Sequence, residues 1–81
     1  MIKVLFFAQT RELVGVESLD VEACFDTVEA LRASLATREG KWDLALDASK
    51  LLAAVNQSIV SLNHPLADGD EVAFFPPVTG G

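Results

Sequence analysis

The sequence predicts an α+β fold, in which a mixed sheet of about four to five strands packs against one main helix. Two strongly hydrophobic segments, at residues 2–8 and 72–75, have the composition of strands and lie near opposite ends of the chain. Between them, Val28, Leu31 and Leu35 recur at helical spacing and form one apolar side of a helix. Because the two outer segments are the most hydrophobic, we expect them to lie side by side at the centre of the sheet.

The first segment is predicted to pair with a second strand as a hairpin. Residues 2–8 form a strand with two apolar faces, which is typical of a strand in the middle of a sheet. A polar stretch follows and ends at Gly15, a residue suited to a turn or to a short helix end. Leu19, Val21 and Ala23 then alternate with other residues, and this alternation predicts the second strand.

The main helix has candidate start and stop residues. Asp26 or Thr27 is predicted to cap its amino end, and Asp26 and Glu29 have the spacing of a capping box. Gly40 is predicted to end the helix, because glycine readily adopts the left-handed conformation found at helix ends. Residues 42–46 form a short apolar patch, which we interpret as one more helical turn under the sheet.

The second half of the chain predicts two strands before the last one. They lie at residues 51–55 and 59–62 and are joined by a tight turn at Asn56 and Gln57. His64-Pro65 requires an extended or turn conformation, because proline restricts the residue before it. Residues 68–70 form the turn into the final strand.

Length and composition indicate one small domain. The chain has 81 residues and a net charge of −6, a balance that argues against nucleic acid as a partner. The acidity suits either attraction to a basic protein surface or solubility. No apolar run approaches the roughly 20 residues of a membrane span. The first residues do not resemble a signal peptide, so we expect a cytoplasmic protein without membrane association.

Residues that could perform catalysis are scarce. The chain has no metal-ligand spacing and no glycine-rich phosphate loop, so we expect it to bind no metal and no cofactor. His64 is interpreted as a solvated turn residue rather than as a catalytic base. Cys24, on or at the end of the second strand, is expected to be a buried or half-buried thiol with nothing nearby to activate it. As the single cysteine, it cannot form an internal disulfide.

The central strands predict a second apolar surface, on the side of the sheet away from the helix. One set of residues is expected to face the helix: Val4, Phe6, Val72 and Phe74. The other set lies on the opposite face, with Ile59 as a further candidate: Leu5, Phe7, Ala73 and Phe75. One helix cannot cover both faces, so Phe7 and Phe75 should form an exposed apolar patch of the kind that anchors protein interfaces. The alternative is that one phenylalanine lies under a loop or that a bulge shifts the alternation.

The last six residues, 76–81, are predicted to be a flexible, extended tail on a domain formed by residues 1–75. Pro76 and Pro77 hold its start extended, and Gly80 and Gly81 make its end thin enough for a narrow slot. Its reach is about 20 Å at roughly 3.3 Å per residue. A frayed chain end is the alternative interpretation. Together with the apolar patch, the tail predicts a carrier whose terminal carboxylate is activated by an ATP-using partner.

Four stretches of the sequence closely resemble the small, sulfur-carrier subunit of molybdopterin synthase, the MoaD type: residues 1–8, 55–57, 65–66 and 68–81. The resemblance covers the whole chain, and the closing stretch from Asp68 to Gly81 is its specific part. It implies a ubiquitin-like β-grasp fold. It also implies that the chain is the sulfur-donating subunit of an enzyme complex, with no catalytic site of its own.

The resemblance further implies how the tail works. An E1-like enzyme uses ATP to adenylate the Gly81 carboxylate, and a sulfur donor such as a cysteine desulfurase converts it to a thiocarboxylate. The tail then threads into the active site of the synthase's large subunit through these residues: Pro76, Pro77, Val78, Thr79 and Gly80. There the sulfur passes to cyclic pyranopterin monophosphate and builds the dithiolene of molybdopterin. Phe7, Ile59 and Phe75 form the implied contact surface, in a heterotetramer of two large subunits flanked by two carriers.

Three other functions also fit a β-grasp domain with a Gly-Gly end. The first is the related sulfur carrier of thiamine biosynthesis, which residues 74–79 resemble less closely. The second is a protein modifier that forms isopeptide bonds with lysines, as ubiquitin does. The third is a purely structural interaction domain, which would tolerate any residues added after Gly81.

Overall fold

The structure, a computed structural model, describes residues 1–77, and its elements confirm the α+β class. Within that range the helices are α1 (Ala8–Val14), α2 (Val28–Leu35) and α3 (Trp42–Ala45), and a 3₁₀ turn covers Ala48–Lys50. The strands are β1 (Ile2–Phe6), β2 (Ser18–Val21), β3 (Leu52–Val55), β4 (Ser58–Val60) and β5 (Glu71–Phe75). None of these helices is long and apolar enough to cross a membrane.

The five strands form one mixed sheet in the order β2-β1-β5-β3-β4. β1 and β5 lie side by side and run parallel at its centre, as predicted from their hydrophobicity. The other neighbouring strands are antiparallel, including the predicted hairpin of β1 and β2. Buried and less buried residues alternate along β1 and β5, so one side of the sheet faces the core and the other faces outward.

The core lies between the sheet and the helices. Val4 and Phe6 of β1 lie opposite Val72 and Phe74 of β5, and all four side chains are buried, as predicted. The Phe6 ring meets Trp42 edge-on, with 5.5 Å between centroids, and stacks on Phe74 at 6.3 Å. α2 contributes its predicted apolar side: Val28, Leu31 and Leu35. Trp42 belongs to α3, so the predicted additional helical turn is confirmed.

The amino end of α2 is capped by Thr27, one of the two predicted candidates. The Thr27 hydroxyl accepts a hydrogen bond from the backbone N–H of Ala30 at 3.1 Å. The predicted capping box between Asp26 and Glu29 is wrong. The Glu29 carboxylate instead accepts two hydrogen bonds from the Arg32 guanidinium, at 2.8 and 2.6 Å, because residues three apart are neighbours on a helix surface.

α2 ends at Leu35, earlier than the predicted end at Gly40. Gly40 does adopt the left-handed conformation, with φ of 87°, but it does so in the connection to α3. Arg32 of α2 reaches the residue that follows α3, because its guanidinium donates a hydrogen bond of 2.8 Å to the backbone carbonyl of Leu46. This half-buried arginine therefore fixes α2 against the segment that follows α3.

β2 ends at Val21, two residues before the predicted limit at Ala23. The expectation that Cys24 is a buried or half-buried thiol is wrong, because Cys24 is exposed in the connection between β2 and α2. The alternation stops where the strand stops, and Phe25 is the residue that turns inward to pack against the core. The thiol is thus outside the packed part of the domain.

β4 also ends early, at Val60 rather than Leu62. After Val60 the chain leaves the sheet to satisfy the amino end of α2. The carbonyl of Leu62 accepts a hydrogen bond from the Glu29 N–H at 2.8 Å, and the carbonyl of His64 accepts one from the Val28 N–H at 3.0 Å. The first N–H groups of a helix have no partner within the helix, so these two bonds divert the chain.

The predicted tight turn between β3 and β4 is confirmed. Val55 lies opposite Ser58, with Asn56 and Gln57 as a two-residue loop. Both loop residues have positive φ, 50° and 74°, which is the conformation that two-residue hairpins require.

The start of β5 is held by a hydrogen-bond network around Asp70. Its carboxylate accepts a hydrogen bond from the Ala67 N–H at 2.8 Å and one from the Asn56 side-chain amide at 3.1 Å. The side-chain oxygen of Asn56 in turn accepts a hydrogen bond from the Glu71 N–H at 3.1 Å. The Ala67 N–H, and next the Asn56 amide, lower the pKa of Asp70 below its usual value, because both donors favour the charged carboxylate.

This lowered pKa predicts an acid-sensitive contribution to stability. The Asp70 carboxylate stabilises the folded state fully above the pKa of an unfolded aspartate, roughly pH 4, and the contribution is lost as the pH falls through the lower folded pKa. Wild type should therefore be more stable than Asp70→Asn at neutral pH, and this advantage should shrink on acidification. Urea unfolding at a series of pH values, followed by Trp42 fluorescence, measures the difference in stability between wild type and Asp70→Asn. Glu39→Gln is the control, because it also removes an exposed carboxylate. An advantage that stays constant or grows in acid would contradict the prediction.

α1 occupies the polar stretch for which the sequence predicted only a turn or a short helix end at Gly15, and β1 ends at Phe6 rather than at residue 8. The chain reverses at Ala8, which has a φ of 53°, a left-handed conformation that is uncommon for residues other than glycine. Gly15 ends α1 with φ of 82°, and its N–H donates to the Arg11 carbonyl at 2.9 Å. The prediction that Gly15 suits a short helix end is confirmed.

Ala8→Gly is expected to stabilise the domain. A left-handed alanine raises the energy of the folded state by roughly 1–2 kcal/mol, and the added freedom of glycine in the unfolded chain offsets part of the gain. We expect the free energy of unfolding to rise by about 0.5–1 kcal/mol in urea titrations. Ala30→Gly, at an exposed right-handed position of α2, is the matched control and should lower it by about 1 kcal/mol. Equal losses in both variants would show that Ala8 is unstrained.

Candidate functional site

Phe7 lies where β1 turns into α1, and the backbone holds it on the outward side of the sheet. Its N–H donates a hydrogen bond to the Phe74 carbonyl at 3.2 Å, and its carbonyl accepts one from the Arg11 N–H at 3.3 Å. The backbone at Phe7 is still extended, with φ of −125°. The side chain points away from the buried Phe6 and is 48% exposed, as the alternation predicted.

Apolar residues of four strands form a continuous surface around Phe7, which we name the open face: Leu5, Phe7, Leu52, Ala54, Ile59, Ala73 and Phe75. The strand register places them in rows. Leu5 lies opposite Ala73, Ala73 opposite Ala54, and Ala54 opposite Ile59. In the next row Leu52 lies opposite Phe75, and Phe7 follows Phe6, whose partner on β5 is Phe74. The predicted exposed patch is therefore confirmed as a surface.

Exposure is greatest at the borders of the open face. Ile59 is 70% exposed, Phe75 is half-buried, and Ala54 is buried between its neighbours. Sequence reasoning missed Leu52, which is 36% exposed. The signal that could have found it is the antiparallel pairing of β3 with β5, which places Leu52 beside Phe75. That pairing is not visible in a single sequence.

A charged row borders the open face at the end of the sheet away from the tail. Lys3 lies between Asp20 of β2 and Glu71 of β5 in the strand register. Opposite charges directly across neighbouring strands attract weakly and stay solvated. The outward side of the sheet is thus polar at the start of β1 and apolar at its end, a core-and-rim arrangement typical of protein interfaces.

The predicted tail follows β5 at this apolar end. β5 ends at Phe75, and Pro76 is half-buried while Pro77 is exposed. The chain therefore leaves the sheet from a central strand, next to Phe7 and Phe75. The remaining predicted tail residues lie outside the described residues: Val78, Thr79, Gly80 and Gly81.

The residues weighed as catalytic candidates lie apart from the open face. His64 is half-buried in the connection between β4 and β5, and its N–H donates to the Ser61 carbonyl at 3.1 Å. Cys24 lies in the connection between β2 and α2. Within residues 1–77 no group of three or more histidine, cysteine or acidic side chains is arranged to hold a metal ion. In the described part of the chain, the candidate site therefore consists of the open face together with Pro76 and Pro77.

A five-stranded mixed sheet with a central parallel pair, packed on a helix, defines the class of ubiquitin-like β-grasp proteins. The sequence pattern of the ThiS family matches residues 4–81. The chain is also 68% identical to the molybdopterin synthase sulfur carrier subunit of Escherichia coli, over 81 residues that cover all of both chains. The chain therefore belongs to the ThiS family, on the branch of the molybdopterin synthase sulfur carrier subunits, which confirms the resemblance drawn from its sequence.

Solved structures share the fold over nearly the whole chain. One is a complex of subunits 1 and 2 of molybdopterin-converting factor from Helicobacter pylori, with a TM-score of 0.68 and 32% identity. The match covers 99% of this chain and 97% of that one. Another is small archaeal modifier protein 1 of Haloferax volcanii, with a TM-score of 0.72 and 25% identity, covering 95% and 97% of the two chains. The same fold thus occurs in a subunit of a two-subunit complex and in a modifier.

Proposed function

We propose that this chain is the sulfur-carrier subunit of molybdopterin synthase. Its Gly81 carboxylate is adenylated, converted to a thiocarboxylate, and used to donate sulfur to cyclic pyranopterin monophosphate in the active site of the large subunit. The observation that carries the proposal is the 68% identity, over the full length of both chains, to a relative of that name. The position of the open face beside the root of the tail supports it.

The chemistry divides between this chain and its partners. A carboxylate is a poor electrophile, so an E1-like enzyme must first join Gly81 to the AMP part of ATP, releasing pyrophosphate. A sulfur nucleophile then attacks the carbonyl carbon and releases AMP. Where the donor is the persulfide of a cysteine desulfurase, the product is an acyl disulfide, and a thiol reductant must cleave its S–S bond to leave the thiocarboxylate. The thiocarboxylate sulfur is a softer and stronger nucleophile than the oxygen it replaces. This chain contributes the carrier terminus and the contact surface, and the catalytic groups belong to its partners.

The open face and the tail have separate tasks. Phe7, Ile59 and Phe75 provide an apolar surface on which the large subunit docks, because aromatic and aliphatic anchors are typical of such interfaces. Residues 76–81 then reach about 20 Å from that surface into the active site. Two carriers bind the two ends of a dimer of large subunits and form a heterotetramer. ATP is consumed by the activating enzyme, and the reaction belongs in the cytoplasm.

A protein modifier is the second candidate, because small archaeal modifier protein 1 of Haloferax volcanii has the same fold. A modifier would use the same adenylated terminus but transfer it to lysine amines. The thiamine-pathway carrier remains a third candidate and would deliver the sulfur to thiazole formation. The identity to the Escherichia coli relative favours the molybdopterin carrier over both.

A reconstituted synthase reaction tests the proposal. The thiocarboxylated chain is mixed with the large subunit of the Escherichia coli synthase and cyclic pyranopterin monophosphate, and molybdopterin is measured. We expect conversion that scales with the amount of thiocarboxylate supplied. The untreated carboxylate form is the control. An absence of conversion, together with lysine conjugates in a cell extract supplied with ATP, would support the modifier instead.

A further inference from the structure

A groove of about 530 Å³ opens at the root of the tail, on the helical side of the sheet. Its volume falls within the range of ordinary ligand pockets. Its walls come from α1, α3, the 3₁₀ turn and the first tail residues, including Leu13, Leu44, Lys50, Pro76 and Pro77. The groove and the open face thus lie on opposite sides of the sheet, at the end where β5 gives way to the tail.

Two exposed residues of the groove take no part in the buried core. Leu44 is an apolar side chain on α3 that is 60% exposed, although it does not belong to the open face. Lys50 is exposed, and within residues 1–77 it forms no ion pair. The groove therefore offers an apolar wall with a lysine cation beside it, on a chain whose net charge is −6.

We propose that this groove is a second docking surface for the large subunit of molybdopterin synthase, for a segment that carries an apolar side chain next to a carboxylate. This inference rests on the proposed function, because it requires a partner that encloses the tail. The apolar side chain packs against Leu44 and Leu13, and the carboxylate pairs with Lys50. The open face and the groove then hold the partner on both sides of the tail.

The position of Pro76 and Pro77 in the groove supports this arrangement. Four residues follow Pro77, ending at Gly81, and their reach is about 13 Å at roughly 3.3 Å per residue. An active-site slot that encloses these four residues has its mouth at Pro77. Since Pro77 is itself a wall of the groove, the partner surface around that mouth meets the groove directly.

The charge of Lys50 should make the contact at the groove dependent on salt concentration. A lysine at the rim of an interface steers association and makes it dependent on salt, and a like charge placed opposite a carboxylate is repulsive. Lys50→Glu should therefore weaken binding about tenfold at low salt, with a smaller effect at high salt. Leu44→Ser should weaken binding by a similar factor at all salt concentrations, because it removes an apolar contact.

The test measures the dissociation constant of the full chain for the Escherichia coli large subunit by calorimetry, at low and high salt. Lys41→Glu is the matched control for Lys50→Glu, because it makes the same charge change on an exposed lysine outside the groove. Val16→Ser is the control for Leu44→Ser, at another exposed apolar residue. Thermal unfolding of each variant verifies that it is folded.

The expected result is a tenfold loss in the two groove variants and little change in the two controls. Unchanged binding in both groove variants, with binding still broken by Phe7→Asp, would overturn the groove and leave the proposed function intact. An absence of binding by wild type would overturn the proposed function and the groove together. An equal loss of affinity in Lys50→Glu and Lys41→Glu would also overturn the groove proposal, because the change in net charge alone would then explain the effect.

Discussion

Deleting Gly81 is expected to abolish molybdopterin formation while leaving the unfolding temperature of the domain unchanged. The deletion moves the terminal carboxylate back by one residue, about 3.3 Å, so it no longer reaches the reacting atoms of either the activating enzyme or the large subunit. A misplacement of about 1 Å can already lower a rate a hundredfold. The measurements are molybdopterin formed in the reconstituted reaction and thermal unfolding of the same sample.

Gly80→Ala is the informative companion to this deletion. It keeps the length of the tail but adds a methyl group beside the terminus. Sulfur loading should fall if the slot of the activating enzyme is too narrow for this methyl group, and sulfur transfer should fall if the slot of the large subunit is too narrow for it. Neither change alters any of the core residues in the described part of the chain. A Gly81-deleted chain that still formed molybdopterin at the wild-type rate would show that this terminus does not carry the sulfur.

Phe74→Ala is expected to remove a large part of the free energy of unfolding of the domain. Phe74 is fully buried on β5 and stacks on Phe6 at 6.3 Å between ring centroids. Truncation of a buried phenylalanine lowers the free energy of unfolding by about 3–5 kcal/mol, because transfer energy is lost and a cavity remains. Small domains have only about 5–15 kcal/mol in total. Urea unfolding followed by Trp42 fluorescence measures the loss.

The neighbouring Phe75→Ala is the matched control, because it removes the same side chain from the opposite side of the same strand. Phe75 is half-buried on the open face, so its removal should lower stability by much less than Phe74→Ala. It should instead weaken binding to the large subunit, since a central aromatic anchor contributes about 2 kcal/mol or more. Equal losses of stability in the two variants would contradict the assignment of the two sheet faces.

The central strands and their two faces could be predicted because the signal is local. Alternation places Phe6 and Phe74 inward and Phe7 outward without any knowledge of the neighbouring strands. The high hydrophobicity of both strands further indicates that they lie inside the sheet. The tight turn at Asn56 and Gln57 was predictable for the same reason, because two residues determine it.

Features that depend on distant contacts could not be predicted. α1 begins at a strained Ala8 and has no side-chain cap at Phe7, so the sequence carries no start signal for it. β4 ends early because the Leu62 carbonyl bonds to the amino end of α2, which only the folded chain brings near. The groove beside Lys50 combines three separate parts of the chain.

The site was predictable to the extent that it lies in the strands and the tail. Phe7, Ile59 and Phe75 follow from alternation, and Gly81 follows from its place in the sequence. Leu52 and Leu44 could not be predicted as exposed residues. The exposure of Leu52 depends on strand pairing, and that of Leu44 depends on the packing of α3. The roles of the tail residues in adenylation and sulfur transfer remain predictions.

The most direct measurement is the intact mass of the full chain after incubation with ATP, an E1-like adenylating enzyme and a sulfur source. We predict a mass gain equal to the exchange of one oxygen for sulfur, and no gain in the Gly81-deleted chain. The activity of the adenylating enzyme is verified in parallel on another carrier. If that carrier gains sulfur and this chain does not, Gly81 is not a sulfur-carrying terminus and the central claim is wrong.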